Sequence, residues 1–180
     1  MKIHLLAFGK IDSSLLKFLE STLPKIFPRS SCKIFKESFS IPSNAFNPMR
    51  RQYNSTIILK KVHDYAVTNS IDKALGILDV DIYVPGMNFI FGQAQCPGKA
   101  AVVSLYRLNP IFYGLPLNRK LFWNRTLKEA VHELGHTLGL GHCSDSQCVM
   151  FFSLHIGMTD MKGFKFCEKC RRKVENRILA

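Results

Sequence analysis

The first 67 residues alternate between short apolar runs and stretches with a helical repeat of apolar positions. Residues 2–9 (KIHLLAFG) and 31–40 (SCKIFKESFS) predict two strands. Between them, Asp12 precedes a stretch whose leucines recur at helical spacing, and residues 56–67 (TIILKKVHDYAV) repeat that spacing. The leucines of the first helix are Leu15, Leu16, Leu19 and Leu23. This β-α-β-α order predicts an α/β fold, a sheet with helices packed on it.

Shorter segments connect the later elements. Residues 80–84 (VDIYV) predict another strand, whereas residues 47–55 (NPMRRQYNS) are polar and typical of a turn. Residues 109–118 (NPIFYGLPLN) contain two prolines and a glycine, which predicts a long surface loop. No internal repeat or low-complexity tract interrupts the chain.

A helix is expected over the stretch that follows this loop. Thr126-Leu127-Lys128-Glu129 has the form of a capping box, so the helix is predicted to begin at Thr126. Its apolar face would consist of Leu127, Ala130, Val131, Leu134 and Leu138. The adjoining side would then carry Glu129, His132, Glu133 and His136.

Three histidines at the end of this helix have the spacing of a metal site. His132 and His136 are four residues apart, about one turn, so both imidazoles can face one ion. Gly139 tolerates a left-handed helix end and lets the chain turn back to bring in His142. Three protein ligands leave the fourth position of a tetrahedral zinc for water. Glu133 is placed to take the proton of that water during attack on a carbonyl.

Four of the six cysteines cluster near this motif: Cys143, Cys148, Cys167 and Cys170. Together with the histidines they offer more ligands than one tetrahedral zinc can use, and they divide into a set of three and a set of four. We therefore expect two zinc ions, with the cysteines closing a structural site. A redox role for the Cys167–Cys170 pair is the alternative, but it lacks the strand-then-helix context of such motifs. Cys32 and Cys96 are expected to be free thiols.

Composition and charge narrow the class of protein. The 180 residues are 47% hydrophobic and 21% charged, which is ordinary for a folded chain. No secretion signal is recognisable at the start and no apolar run is long enough to span a bilayer, so a reducing, cytoplasmic location is expected. The formal charge is +12, and seven of the basic residues lie within the last twenty positions. It indicates either a solvated surface or affinity for an acidic partner.

A hairpin in the middle of the chain could hold an extended ligand. Residues 88–95 (NFIFGQAQ) and 99–108 (KAAVVSLYRL) flank Cys96-Pro97-Gly98, a sequence favoured in type II turns, and should pair antiparallel. If the first run is a sheet edge, a peptide can add to it; an ordinary buried strand pair is the alternative. The residues predicted to bind substrate are Asn88, Phe89, Ile90, Phe91 and Gly92.

The motif HELGHTLGLGHC, followed by Cys148-Val149-Met150, Cys167 and Cys170, resembles the signature of the archaemetzincins, a branch of the metzincin zinc metallopeptidases. RRQYNS and GMNFIFGQA, at residues 50–55 and 86–94, also resemble stretches of that family. The resemblance implies a catalytic zinc on the histidines, Glu133 as general base and acid, a second zinc on the cysteines, and Met150 in the turn beneath the catalytic zinc. Where some metzincins place a tyrosine after that methionine, this chain has Phe152.

These observations predict a zinc-dependent peptidase built as one catalytic domain over residues 1–180. Residues 1–141 would form a sheet and helix subdomain with a twisted mixed sheet, ending in the active-site helix, and residues 142–180 a subdomain around the structural zinc. The expected partner is a peptide or unfolded polypeptide handled by a monomer, without membrane or nucleic-acid binding. The rival hypothesis is a non-catalytic zinc module that binds nucleic acid or an acidic partner through its basic tail.

Overall fold

The structure is a computed structural model that describes residues 1–179. Its strands are β1 (Lys2–Phe8), β2 (Ser31–Ile34), β3 (Phe46–Asn47), β4 (Gln52–Asn54), β5 (Lys73–Leu78), β6 (Ile82–Tyr83), β7 (Gly92–Ala94) and β8 (Ala100–Ser104). Its α-helices are α1 (Ser13–Ile26), α2 (Ser55–Thr68), α3 (Arg119–Thr137), α4 (Ile156–Met161) and α5 (Glu168–Leu179). Short 3₁₀ helices span Ser43–Ala45 and Pro110–Tyr113.

The main sheet has the strand order β2-β1-β5-β8-β7. Strands β2, β1, β5 and β8 run parallel, whereas β7 lies at one edge and runs antiparallel to β8. The predicted mixed sheet with helices is thereby confirmed, and so is the antiparallel hairpin. Gly98 lacks the positive φ that a type II turn requires, so the predicted turn type is wrong.

The central strand β5 has no counterpart among the strands predicted from the sequence. Its sequence, KALGIL, is buried along almost its whole length because β1 and β8 pair on its two sides and helices cover both faces. Such a strand has no polar face and therefore no alternating pattern. The apolar run alone was too short to distinguish a strand from part of a helix.

A small second sheet joins β3, β4 and β6 in that order. The stretch 47–55, expected to be a turn, instead supplies β4, which pairs parallel with β6. The turn itself is confined to residues 48–51, where Arg51 has a φ of 54°. The sequence did not predict this strand, because its buried residue is the polar Gln52. The side-chain amide of Gln52 donates a hydrogen bond to Asp81, which makes its burial possible.

The two faces of the main sheet bury separate apolar clusters, because successive side chains of a strand point to opposite sides. From β1, Ile3 and Leu5 pack on the face covered by α1 and α3, whereas Leu6 and Phe8 pack on the face covered by α2. Asp12 caps α1, its carboxylate accepting a hydrogen bond from the Ser14 amide. The predicted helices α1 and α2 are both confirmed.

Helix α3 begins seven residues earlier than predicted, at Arg119, with Asn118 as its cap. The Thr126 hydroxyl donates to the Phe122 carbonyl inside the helix instead of capping its end. The predicted capping box is therefore wrong. Residues 125–135 are all buried, so α3 has no polar face over that part of its length.

The segment after α3 packs into the same core as α1 and α3. Cys148, Val149, Met150, Cys170 and Val174 are all buried in that cluster. Within residues 1–179, no helix is both long enough and apolar enough to cross a membrane.

Candidate metal centre

Helix α3 and the turn after it bring the three histidines together. His132 and His136 lie one turn apart on α3, and their Nε2 atoms are 3.1 Å from each other. His142 completes the group, and one nitrogen from each ring lies within 4.8 Å of the other two. Around a tetrahedral zinc with Zn–N bonds of about 2.0–2.1 Å, ligand nitrogens lie about 3.3 Å apart. The geometry fits one zinc ion.

Hydrogen bonds to backbone carbonyls orient two of these rings. Nδ1 of His132 lies 2.8 Å from the Val149 carbonyl, and Nδ1 of His136 lies 2.7 Å from the Leu140 carbonyl. A carbonyl only accepts, so each Nδ1 carries the proton and each Nε2 presents a lone pair. Two lone pairs that face each other at 3.1 Å repel unless a cation lies between them.

The imidazoles are held in the neutral form that binds metals. Burial lowers the pKa of His132 well below its usual value, and the nearby Lys162 ammonium lowers it further. Burial also lowers the pKa of His136 and of His142. Gly139 has a φ of 82°, the left-handed conformation expected for the turn that returns His142 to the group.

Glu133 lies beside the histidines and against the edge strand β7. A Cβ at residue 92 would lie 2.6 Å from the Cγ of Glu133, so only glycine fits at that position. Burial raises the pKa of Glu133 well above its ordinary value; the neighbouring Glu129 adds to the increase and Lys162 opposes it. A carboxyl group in this environment takes up a proton readily.

A buried ion pair lies one turn before Glu133 on α3. The Nζ of Lys162, fully buried, is 3.0 Å from Oε1 of Glu129. The Thr159 hydroxyl donates to the same carboxylate, and Lys162 also donates to the Phe151 carbonyl. Through Lys162, this pair links α3 to Phe151, the residue after Met150. The sequence alone did not indicate it, because the partners are 33 residues apart.

Met150 packs against α3 at Gly135. A Cβ at residue 135 would lie 2.5 Å from the Met150 sulfur, so Gly135 allows this close approach. The Met150 carbonyl accepts a hydrogen bond from the Cys143 amide. The ring of Phe152 packs on His142 with 4.6 Å between ring centroids.

The four clustered cysteines form a second group. Their sulfur atoms all lie within 4.8 Å of one another, and the Cys143 and Cys167 sulfurs are 3.8 Å apart. Sulfurs around a tetrahedral zinc with bonds of about 2.3 Å are separated by about 3.8 Å. The Cys167 amide donates to the Cys148 sulfur, an interaction that stabilises a thiolate. Cys32 and Cys96 lie outside this group and are free thiols.

Strand β7 is the outer strand of the main sheet, so the predicted edge is present. The Phe91 carbonyl accepts from the Ser104 amide and the Gln95 amide donates to the Ala100 carbonyl, both on the β8 side. Because hydrogen-bonding direction alternates along a strand, Gly92 and Ala94 direct their backbone groups to the open edge.

The residues just before β7 are held by the second sheet. The Asn88 carbonyl accepts from Arg50 and Gln52, and the Ile90 amide donates to the Ile82 carbonyl. The Phe89 ring packs on Arg107, and Phe91 is buried in the core. Of the five predicted substrate-binding residues, Gly92 alone therefore lies in the open edge strand. Arg50 and Gln52 were not predicted as site residues, although their stretch carried part of the resemblance.

Comparison with known proteins identifies the family. Residues 36–176 match Peptidase family M54. The archaemetzincin of Methanocaldococcus jannaschii is 42% identical over 177 residues, which are 98% of this chain and 94% of that protein. The archaemetzincin of Pyrococcus horikoshii is 50% identical over 134 residues, 74% of this chain and 71% of that protein.

Solved structures give the same answer. The crystal structure of archaemetzincin from Methanopyrus kandleri superposes with a TM-score of 0.88 at 36% identity, covering 100% of this chain and 96% of that one. Archaemetzincin from Archaeoglobus fulgidus, complexed with malonate, gives a TM-score of 0.82 at 38% identity, covering 96% and 99%. The chain belongs to the archaemetzincins of peptidase family M54 and is a zinc metallopeptidase.

Proposed function

We propose that His132, His136 and His142 hold the catalytic zinc of this peptidase. The observation that supports this assignment best is the pair of Nε2 lone pairs facing each other at 3.1 Å, with both Nδ1 protons engaged by carbonyls. A zinc bound there supplies Lewis-acid activation of water and of the peptide carbonyl. Three protein ligands leave room for that chemistry.

Glu133 is the general base and then the general acid. It takes a proton from the attacking water and delivers it to the nitrogen of the leaving amine. Its burial supports this role, because a desolvated carboxylate gains more from accepting a proton than an exposed one does. The Glu133 side chain occupies the space that a side chain at residue 92 would need, so the carboxylate lies directly against the backbone of β7.

The peptide substrate adds to the open edge of β7. The backbone groups of Gly92 and Ala94 bond to it in the manner of an additional strand. Phe89, Ile90 and Phe91, which precede β7, line a cavity of about 50 Å³ beside Glu133, together with Phe152. The enzyme acts on peptides or unfolded chains as a cytoplasmic monomer.

The chain carries a second zinc on Cys143, Cys148, Cys167 and Cys170, so two ions are bound per chain. This site has a complete ligand set and is structural. It organises residues 142–180 as a subdomain, with residues 1–141 forming the sheet and helix part. No specific observation favours nucleic-acid binding by the basic tail, where Arg171 and Arg172 already pair with Glu168.

Replacement of Glu133 by Gln tests the mechanism, because it preserves side-chain size and removes the basic carboxylate. We expect peptide hydrolysis to fall by about two to four orders of magnitude. The assay is a peptide-library digest read by mass spectrometry, with zinc content measured in both proteins. Equal cleavage by wild type and Glu133→Gln would show that Glu133 is not the base. No cleavage by zinc-loaded wild type would count against the peptidase centre itself.

A further inference from the structure

Two cavities adjoin the histidine cluster, one lined by His132 and the other by His142. The first is the small cavity beside Glu133 described above. The second, of about 470 Å³, begins at His142 and extends to the cysteine cluster. We call it the basic bowl and define it by Gly141, His142, Ser144, Asp145, Lys169 and Lys173. The proposed mechanism of bond cleavage makes no use of it.

The charges of α5 are divided between two faces. Arg171 bonds to Glu168 and Glu175, and Arg172 bonds to Glu168, so these arginines are neutralised locally. Lys169 and Lys173, one turn apart, both line the bowl. Neither forms an ion pair among the residues that the structure describes.

One carboxylate also lines the bowl. Asp145 accepts a hydrogen bond from the Gln147 amide at 2.9 Å, within its own loop. The lysines therefore outnumber it. The amides of Gly141 and Ser144 have no hydrogen-bond acceptor within residues 1–179. The bowl thus has an excess of cationic side chains, which are complementary to a carboxylate.

The direction of β7 relates the bowl to a peptide on the sheet edge. The strand starts beside Glu133, at Gly92. The loop after it reaches the end of α3, where the Cys96 thiol lies 3.5 Å from the Leu140 carbonyl and the Gly98 amide donates to Thr137. A peptide paired antiparallel with β7, the slightly more stable arrangement, runs the opposite way. Its amino-terminal part then lies towards the bowl.

We propose that the basic bowl recognises an acidic side chain on the amino-terminal side of the scissile bond, through Lys169 and Lys173. The inference rests on the proposed peptidase centre and names the substrate class: peptides with Asp or Glu ahead of the cleaved bond. Two solvent-exposed ion pairs give a preference of about 3- to 10-fold over a neutral side chain, and added salt reduces it.

Lys169 and Lys173 could instead balance the negative charge of the cysteine-bound zinc, and the experiment must distinguish this role from substrate recognition. Four thiolates on one zinc leave a net charge of about −2, which nearby cations would balance. In that case, removing the lysines would weaken zinc binding at the cysteines and would leave peptide selectivity unchanged.

The experiment uses zinc-loaded full-length protein in the Glu133→Gln background, so that peptides bind without turnover. The probes are two pools of fluorophore-labelled decapeptides, randomised except that one has Glu and the other Gln at two adjacent positions near the amino terminus. Binding is followed by anisotropy at about 20 mM and 150 mM salt. The test variant is Lys169→Met/Lys173→Met. The control is Lys17→Met/Lys25→Met, which removes the same charge from exposed positions of α1.

We expect the Glu pool to bind about 3- to 10-fold more tightly at low salt, the test variant to bind both pools equally, and the control to keep the preference. Equal binding of both pools by the parent protein overturns the proposal. So does a preference that the control variant loses as fully as the test variant, because overall charge would then explain it. Loss of zinc or thermal stability in the test variant with an unchanged Glu/Gln ratio assigns the lysines to the thiolate site instead.

A digest with the wild-type protein tests the direction of binding. Enrichment of Glu after the cleaved bond overturns the proposed direction. A digest without cleavage counts against the peptidase centre, not against the bowl.

Discussion

Gly92 and Glu133 are packed so closely that no methyl group fits between them. A Cβ at residue 92 would lie 2.6 Å from both Cγ and Oε1 of Glu133, and 2.7 Å from the Val102 carbonyl behind it. A methyl group at residue 92 would therefore clash with the backbone of β8 as well as with the side chain from α3. The position of the proposed base is set by a sheet edge that is also the proposed substrate platform.

Replacement of Gly92 by Ala is expected to lower peptide hydrolysis by about 10-fold or more, because the added methyl displaces the Glu133 carboxylate, and misplacement of a catalytic group by about 1 Å can cost a factor of about 100. Zinc content should stay at the wild-type value. The measurement is the rate of hydrolysis beside metal analysis. Gly157→Ala serves as control, since its Cβ would meet only the side chain of His155 and the residue lies in α4. Wild-type rates in Gly92→Ala would show that the contact does not fix the base.

Zinc removal should distinguish the two clusters. Purified protein is expected to contain two zinc ions, of which a chelator removes the histidine-bound one first, because that site keeps an open position. Cys170→Ser should lower the free energy of unfolding by several kcal/mol, since binding at a structural site contributes directly to folding. His142→Ala should reduce zinc content with a smaller loss of stability.

Metal analysis and thermal unfolding of these variants supply the readouts. A single zinc in metal-replete wild-type protein would contradict the two-site assignment. An equal loss of stability in Cys170→Ser and His142→Ala would contradict the division into structural and catalytic roles.

Lys162→Met should be strongly destabilising, because it leaves the Glu129 carboxylate buried without its cation. Breaking one partner of a buried pair costs about 3–5 kcal/mol, whereas replacing both by apolar residues can be nearly neutral. The double variant Lys162→Met/Glu129→Leu should therefore recover most of the lost stability. Chemical denaturation compares four proteins: wild type, Lys162→Met, Glu129→Leu and the double variant. If the double variant is as unstable as the sum of its single changes, the pair is not coupled in this way.

The local part of the centre could be predicted from the sequence, because His132 and His136 are related by one helical turn and the Gly139 turn is short. The Glu129–Lys162 pair could not, since its partners approach only when the chain has folded. Burial also explains the error at the start of α3. Thr126 and Glu129 match the sequence pattern of a capping box, but both are buried inside the helix. The Thr126 hydroxyl donates to the Phe122 carbonyl, and the Glu129 carboxylate pairs with Lys162.

Both helices with one exposed face were predicted from the sequence, whereas strands β4 and β5 were missed. Helices α1 and α2 each have one solvent-exposed face, so the helical repeat of their apolar residues is visible in the sequence. Strand β5 is enclosed on both faces and at both edges, and β4 buries a glutamine whose amide is satisfied by Asp81. In both strands, tertiary contacts determine which residues are buried, so polar and apolar residues do not alternate along the strand.

His142 and Cys143 are consecutive residues, so the two clusters share one peptide unit, and adjacent Cα atoms are separated by only about 3.8 Å. Any displacement of Cys143 therefore also displaces His142. Oxidants or thiol-reactive agents that open the cysteine cluster should therefore switch off peptide hydrolysis without touching His132, Glu133 or His136. The peptidase would then respond to the thiol balance of its surroundings as directly as to the supply of its metal.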